Sequence, residues 1–202
     1  MHLTAVLAMK LTEVLPEIEA DWIGVDKGAL SLARQGVHMT LAIGDFDSVE
    51  KSDLSLIRSY ADNVICLNPV KDDSDSEAAL NAALAAGYEK IWMIGGLGGR
   101  VDHEYVNLKL AMRYPGKVVL FDEKNKIEAL SEGRYIFEKN EYSYMSFFTE
   151  DSSVISLSGF KYPLEKRKIT KEDLYTLSNE ITGEAGIVTI HEGKVLTIQC
   201  KD

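Results

Sequence analysis

Cysteine is scarce in this 202-residue chain: Cys66 and Cys200 stand far apart and form no C-x-x-C pair. That excludes a disulfide framework and predicts a reduced, intracellular protein, most simply a cytoplasmic one. Two cysteines and four scattered histidines supply no ligand set for structural zinc. Long hydrophobic runs are missing as well. None approaches the roughly 20 residues of a membrane span, and residues 1–10 lack the basic stretch and apolar core of a secretory signal. Positive charge is in deficit, with 22 Lys and Arg against 32 Asp and Glu and a net charge of −10. An acidic surface disfavours nucleic acid or an anionic membrane as the main partner, while leaving room for a local cationic pocket. No G-x-x-x-x-G-K-[ST] occurs, so a P-loop is excluded. Internal repeats and low-complexity tracts are absent too.

What remains is ordinary globular composition, enough for one large or two small domains with a sizeable core. Short apolar runs at 3–9, 22–25, 39–43, 63–67, 90–94 and 117–121 read as strands. Helical patterns fall between them, at 11–20 despite Pro16, through Arg34, at 52–60, at 78–86 and from Asp102 to Arg113. This alternation is that of βαβ units and predicts a doubly wound, mostly parallel sheet over residues 1–124. Beyond the charged stretch 122–126 the texture changes. Closely spaced runs rich in β-branched and aromatic residues, at 127–130, 134–138, 142–148, 153–157, 187–191 and 194–199, predict a small antiparallel β-sandwich or barrel over 125–202. The last two runs read as a hairpin around Glu192-Gly193.

Three loops of the first half carry the polar residues of interest. Gly44-Asp45-Phe46-Asp47-Ser48 follows the third strand. In an extended backbone Asp45 and Asp47 leave on one side. Two carboxylates about 5 Å apart at an effective dielectric near 20 repel by roughly 3 kcal/mol, so a cation is expected beside them, and a divalent metal with oxygen ligands fits. An acidic turn bonding its own backbone is the plainer alternative. The second loop is Lys71-Asp72-Asp73-Ser74-Asp75-Ser76-Glu77, where Ser74 and Glu77 also have the spacing of a capping box. The third is Gly95-Gly96-Leu97-Gly98-Gly99-Arg100-Val101-Asp102-His103. It lacks the third small residue of a dinucleotide fingerprint. His103 and Asn107 share a helix face, and a structural histidine is the simpler reading there. Parallel strands would bring the three loops to one edge, so that carboxylates, glycine amides and the cations Lys71 and Arg100 share a cleft. That set suits metal-assisted chemistry on a phosphorylated ligand.

In this order the three loops resemble the successive motifs of the thiamine pyrophosphokinase family. Gly159-Phe160-Lys161-Tyr162-Pro163-Leu164 and Ser178-Asn179-Glu180 resemble its later motifs. The resemblance implies an N-terminal α/β domain, a C-terminal β-sandwich, and a homodimer with active sites at the subunit interface. It implies transfer of the pyrophosphoryl group of ATP to the hydroxyl of thiamine, giving thiamine diphosphate and AMP. It also implies roles. Asp45, Asp47 and Asp75 would hold Mg²⁺, while Lys71, Asp72, Ser74, Gly96, Gly98, Gly99, Arg100 and His103 would bind ATP. Asp102, Ser178 and Asn179 would meet thiamine, and Arg100 and Asp102 would join the three metal carboxylates as catalytic groups. Three departures stand out. Asp26-Lys27-Gly28-Ala29-Leu30 replaces the usual Asp-Gly-Gly-Ala-Asn, Ser74 replaces Thr, and Thr176-Leu177 replaces Gly-Val. A metal-dependent nucleotide phosphohydrolase and a non-catalytic thiamine- or nucleotide-binding regulator remain the competing expectations.

Overall fold

The computed structural model describes residues 3–10, 18–47, 49–68, 70 and 73–202. They form two compact units, Met1–Asn107 with Leu120–Glu123, and Leu108–Val119 with Lys124–Asp202.

The first unit is built on strands β1 (Thr4–Ala8), β2 (Asp21–Val25), β3 (Met39–Gly44), β4 (Ala61–Cys66) and β5 (Lys90–Ile94), in the order β4-β3-β2-β1-β5. All four pairings are parallel. Helix α1 (Lys27–Arg34) connects β2 to β3, and α2 (Lys51–Ser59) connects β3 to β4. These two advance the sheet in one direction and pack on each other. Helix α3 (Asp75–Ala85) runs back from β4 to β5 and packs on β1, β2 and β3. A right-handed return crossover covers the face opposite to α1 and α2. The central strand shows the consequence: Ala5, Val6, Leu7 and Ala8 are all 0% exposed, so both of its faces are covered. Val6 and Ala8 join Ala29, Leu32, Ala33 and Phe46 in one cluster. Each large side chain so buried contributes about 1.5–3 kcal/mol relative to exposure.

Ser74 begins α3 as its pattern predicts. Its hydroxyl accepts the Glu77 amide at 3.2 Å from an extended backbone. Of the helix expected over 11–20, residues 11–17 lie outside the described residues, and 18–20 are not helical. Helix α4 (Val101–Arg113) follows β5, and β6 (Val118–Phe121) follows α4.

The second unit holds two antiparallel layers, the first a run of strands of a larger sheet and the second a separate four-stranded sheet. One has the order β7-β13-β9, from Asn125–Leu130, Val195–Cys200 and Tyr144–Phe148. The other has the order β11-β10-β12-β8, from Leu164–Thr170, Ser152–Ser158, Ala185–Glu192 and Gly133–Glu138. Their inner faces meet in one core that includes Leu130, Phe147, Ile155, Leu157, Val188 and Val195, which makes the unit a sandwich. The expected hairpin at Glu192-Gly193 is not one. β12 pairs with β10 and β8, whereas β13 pairs with β7 and β9. The turn at Gly193, with φ +84°, carries the chain from one sheet to the other. Strand–turn–strand chemistry is local, but the choice of partner is made by which inward faces the core needs. β11 escaped the sequence reading because Glu165-Lys166-Arg167-Lys168 has no apolar alternation, and it sits at a sheet edge with those residues exposed. Charge on an edge strand discourages pairing with other chains.

Candidate active site

Parallel strands end at one edge, and a cavity of about 420 Å³ opens there in the first unit. That volume is at the lower end of small-molecule sites, about 300–1,000 Å³. Its walls are the residues that immediately follow the strands: Met9 after β1, Asp26 and Lys27 after β2, Asp45 and Asp47 after β3, Gly95 and Gly96 after β5. Asp75 and Ser76 from the start of α3, and Gly99, Arg100, His103 and Asn107 from the loop into α4 and its first turns, complete it.

The Asp45 segment is a turn and a site together. Asp45 Oδ1 accepts the Asp47 amide at 3.1 Å. Between them Phe46 adopts φ +51° and buries its ring, at 7% exposure. The extended backbone expected from the sequence is therefore corrected to a curl. Left-handed geometry costs a non-glycine residue roughly 1–2 kcal/mol, which burial of the Phe46 ring offsets. Both carboxylates still face the cavity. Ser48, Lys71 and Asp72 lie outside the described residues.

Asp26 is the residue that sequence reasoning missed. It occupies the N-cap position of α1 without capping it, at φ 48° and ψ −118°. Its amide donates to Ile43 O at 3.0 Å, tying the loop to β3. Its Oδ1 is buried and has no hydrogen-bond partner. The carboxyl is pushed up from 3.8 to about 7, first by burial, then by the charge and hydrogen bond of Asp75, then by Asp45; the Phe46 amide pulls the other way. Burial beside another carboxyl favours the neutral form of Asp26. A signal was available: Asp26 follows a strand of the same sheet just as Asp45 does.

The glycine loop divides its work. Gly95 and Gly98 hold φ +73° and +71°, and the Gly98 amide donates to Glu104 Oε2 at 3.1 Å. Gly96 and Gly99 line the cavity. Arg100 also lines it while gripping Asp102 with two bonds, at 3.1 and 2.5 Å. Asp102 is exposed, and the Arg100 hydrogen bond brings its carboxyl down to about 2. Ser74 is engaged as a cap, with a further contact to Ser76 Oγ at 3.1 Å.

Ser178 and Asn179 belong to the second unit. Asn179 is 3% exposed, and its amide is spent on the adjacent Glu180 and on Tyr162 of the β10–β11 loop. Oδ1 accepts from the Tyr162 and Glu180 amides at 3.0 Å each, and Nδ2 donates to Tyr162 O at 2.9 Å. Ser178 has φ +54° and is exposed, and its amide donates to Ser146 Oγ at 2.9 Å. Leu174 at 71% and Leu177 at 60% stand exposed nearby in sequence, as does Tyr162, at 57%, on the loop that Asn179 bonds.

Among the described residues no three acidic, histidine or cysteine side chains stand at metal-ligand spacing. The donor chemistry nevertheless fits a hard divalent cation. Four carboxylates share one cavity, one buried Oδ1 lacks a partner, and burial, then like charges, raise the proton affinity of its carboxyl.

Comparison with known proteins follows the same division. Residues 16–121 match the family model described as thiamin pyrophosphokinase, catalytic domain, and residues 134–195 match thiamin pyrophosphokinase, vitamin B1 binding domain. A thiamine pyrophosphokinase of Bacillus subtilis (strain 168) is 35% identical over 189 residues, covering 90% of this chain and 87% of that protein. The crystal structure of a B. subtilis thiamine pyrophosphokinase superposes with a TM-score of 0.86 at 30% identity, over 98% of this chain and 99% of that one. That of a thiamin pyrophosphokinase family protein from Enterococcus faecalis gives 0.86 at 28% identity, again over 98% and 99%.

Proposed function

This chain belongs to the thiamin pyrophosphokinase family, and from that membership we infer that it transfers the pyrophosphoryl group of ATP to the hydroxyl of thiamine, releasing thiamine diphosphate and AMP. The observation that carries the reading is the gathering of Asp26, Asp45, Asp47 and Asp75 with Lys27 and Arg100 around one cavity at the carboxyl edge of the sheet.

In the mechanism we propose, Asp45, Asp47 and Asp75, joined by Asp26, would hold Mg²⁺. The ion, when bound, supplies positive charge against the phosphoryl oxygens. Lys27, Arg100 and the amides of Gly96 and Gly99 bind the polyphosphate and offset charge that develops during transfer. Lys71, Asp72, Ser74, Gly98 and His103 complete the ATP site in this proposal, Ser74 through the start of α3 and Gly98 through the bend of its loop. Asp102 fixes the Arg100 guanidinium. A carboxylate held near 2 is a poor match for taking the thiamine proton at neutral pH. Thiamine is a cation, so an acid-lined cleft favours it as well. Ser178 would offer its hydroxyl to thiamine, on a loop whose shape Asn179 maintains. A cytoplasmic homodimer with active sites at the subunit interface completes the proposal, and the exposed Tyr162, Leu174 and Leu177 provide apolar surface for it.

The test is a product assay with purified protein, ATP, Mg²⁺ and thiamine. AMP and thiamine diphosphate forming in equal amounts, and only with thiamine present, support transfer. Phosphate release that ignores thiamine supports a phosphohydrolase instead, and binding without turnover supports a regulator. Asp47→Asn should lose most turnover without loss of folding; full activity in that variant would overturn the metal assignment.

A further inference from the structure

One wall residue has a chemistry that the phosphate-binding set does not use. Asn107 is 2% exposed, yet it lines the cavity. Its Nδ2 donates to Gly96 O at 3.0 Å. Its Oδ1 is buried and has no hydrogen-bond partner. The amide cannot usefully turn over, because the flipped form would set Oδ1 against the Gly96 carbonyl, acceptor facing acceptor. Nor can the neighbourhood close on it. A Cβ on Gly96 would come within 2.7 Å of Met9 Cε and 2.8 Å of Asn107 Nδ2, so the loop already abuts this side chain. A buried acceptor left unpaired costs about as much as a lost hydrogen bond. A leucine would fill the same space without that cost.

The orphan oxygen is an acceptor only. Ionised phosphate oxygens are acceptors too and would repel it. The cavity wall is thus chemically divided, with Lys27, Arg100 and glycine amides offering donors and Asn107 Oδ1 offering an acceptor. We propose that Asn107 contacts substrate directly, its Oδ1 accepting a hydrogen bond from a neutral O–H or N–H on the nucleoside of ATP or on thiamine, and so marks where the non-phosphate part of a substrate lies. This rests on the functional reading above.

The test pairs Asn107→Leu with substrates that each lack one donor: 2′-deoxy-ATP, 3′-deoxy-ATP, inosine triphosphate and oxythiamine. Wild-type protein should discriminate against one of these about five- to tenfold in kcat/KM, the worth of one neutral hydrogen bond. That discrimination should vanish in Asn107→Leu. A merely structural asparagine would lower activity toward every substrate alike and leave the ratios unchanged, which overturns the proposal. A second measurement needs no variant. The side-chain carbonyl ¹³C resonance of Asn107 in wild-type protein is followed while a non-hydrolysable ATP analogue, or thiamine, is added. Movement with one of them supports the proposal and identifies the donor's source; no movement with either overturns it. Should Asn107→Leu fail to fold, the resonance decides alone. Wild-type protein that makes no thiamine diphosphate overturns the functional reading, and the titration with each ligand still judges Asn107.

Discussion

Replacing Asp26 by Asn should make the metal-free protein more stable at neutral pH while removing a group the reaction needs. The native state raises this carboxyl from 3.8 to about 7 through burial and the nearby Asp75 and Asp45. Below pH of about 4 both folded and unfolded chains hold the proton, and its contribution to stability is complete. Between about 4 and 7 the unfolded chain gives up its proton while the folded chain keeps it, so stability falls as pH rises. Above about 7 both forms are ionised and the contribution is gone. At about 1.4 kcal/mol for each tenfold change in proton affinity, the full span is worth about 4 kcal/mol. Asp26 is only partly buried, and solvent screening reduces the figure to about 2 kcal/mol. Asn at this position still donates to Asp75 but has no proton to lose. The stability gap between Asp26→Asn and wild type should therefore widen in favour of the variant by about 2 kcal/mol from acid to mildly alkaline pH. For a chain of this size that is about 4–8 °C in Tm. Thermal unfolding in the presence of EDTA, at pH of about 4.5 and about 8, measures it. A gap that stays constant with pH, or that moves in favour of wild type, refutes the reasoning.

Three further outcomes follow from contacts described above. Gly28→Ala should destabilise by about 3 kcal/mol or more, since its Cβ would lie 1.8 Å from Ala8 O and overpacking has no flexible neighbour to absorb it; urea unfolding reads this, and a change under 1 kcal/mol, roughly the floor for overpacking, would contradict the packing of α1 on β1. Ser74→Ala should cost about 1 kcal/mol through loss of the α3 cap, visible in the same experiment. Lys27→Met should raise KM for ATP about tenfold, the worth of one charge-assisted contact, and leave KM for thiamine alone; an unchanged KM for ATP removes Lys27 from the phosphate site.

How legible the site was depended on how local each cause is. Ser74 as a cap, and Asp45 with Asp47 at the end of β3, are consequences of a few neighbouring residues, and all three stand where their sequence pattern put them. The βαβ alternation likewise fixed which edge the loops share. Asp26 was passed over because a single acid after a strand looks like any turn residue. Its importance comes from Asp75, which is distant in sequence and adjacent in space. Asn107 looked like the polar neighbour of a histidine on one helix face. Only its burial, and the bond to Gly96, distinguish it. The pairing of β12 and β13 failed for a related reason: turn chemistry at Gly193 is local, while the demand of the core for two separate inward faces is not. Asn179, read as a thiamine contact by resemblance, spends its amide on Tyr162, a commitment that no motif displays.

Gly44 and Asp26 illustrate how such a dependence is written into a lineage. Gly44 has no positive φ to excuse a glycine, yet a Cβ there would come within 1.9 Å of Asp26 Oδ1. The space that a side chain on β3 would occupy belongs to a carboxylate from another loop. Packing therefore couples the choice of residue at the two positions. A chain that keeps the acid where it stands favours glycine at 44, because a Cβ would push the Asp26 carboxylate aside, and a chain that loses the acid is released to fill the notch. An alanine or serine at the end of the third strand, found in some relative, would thus be the trace of a first loop that had already lost its acid.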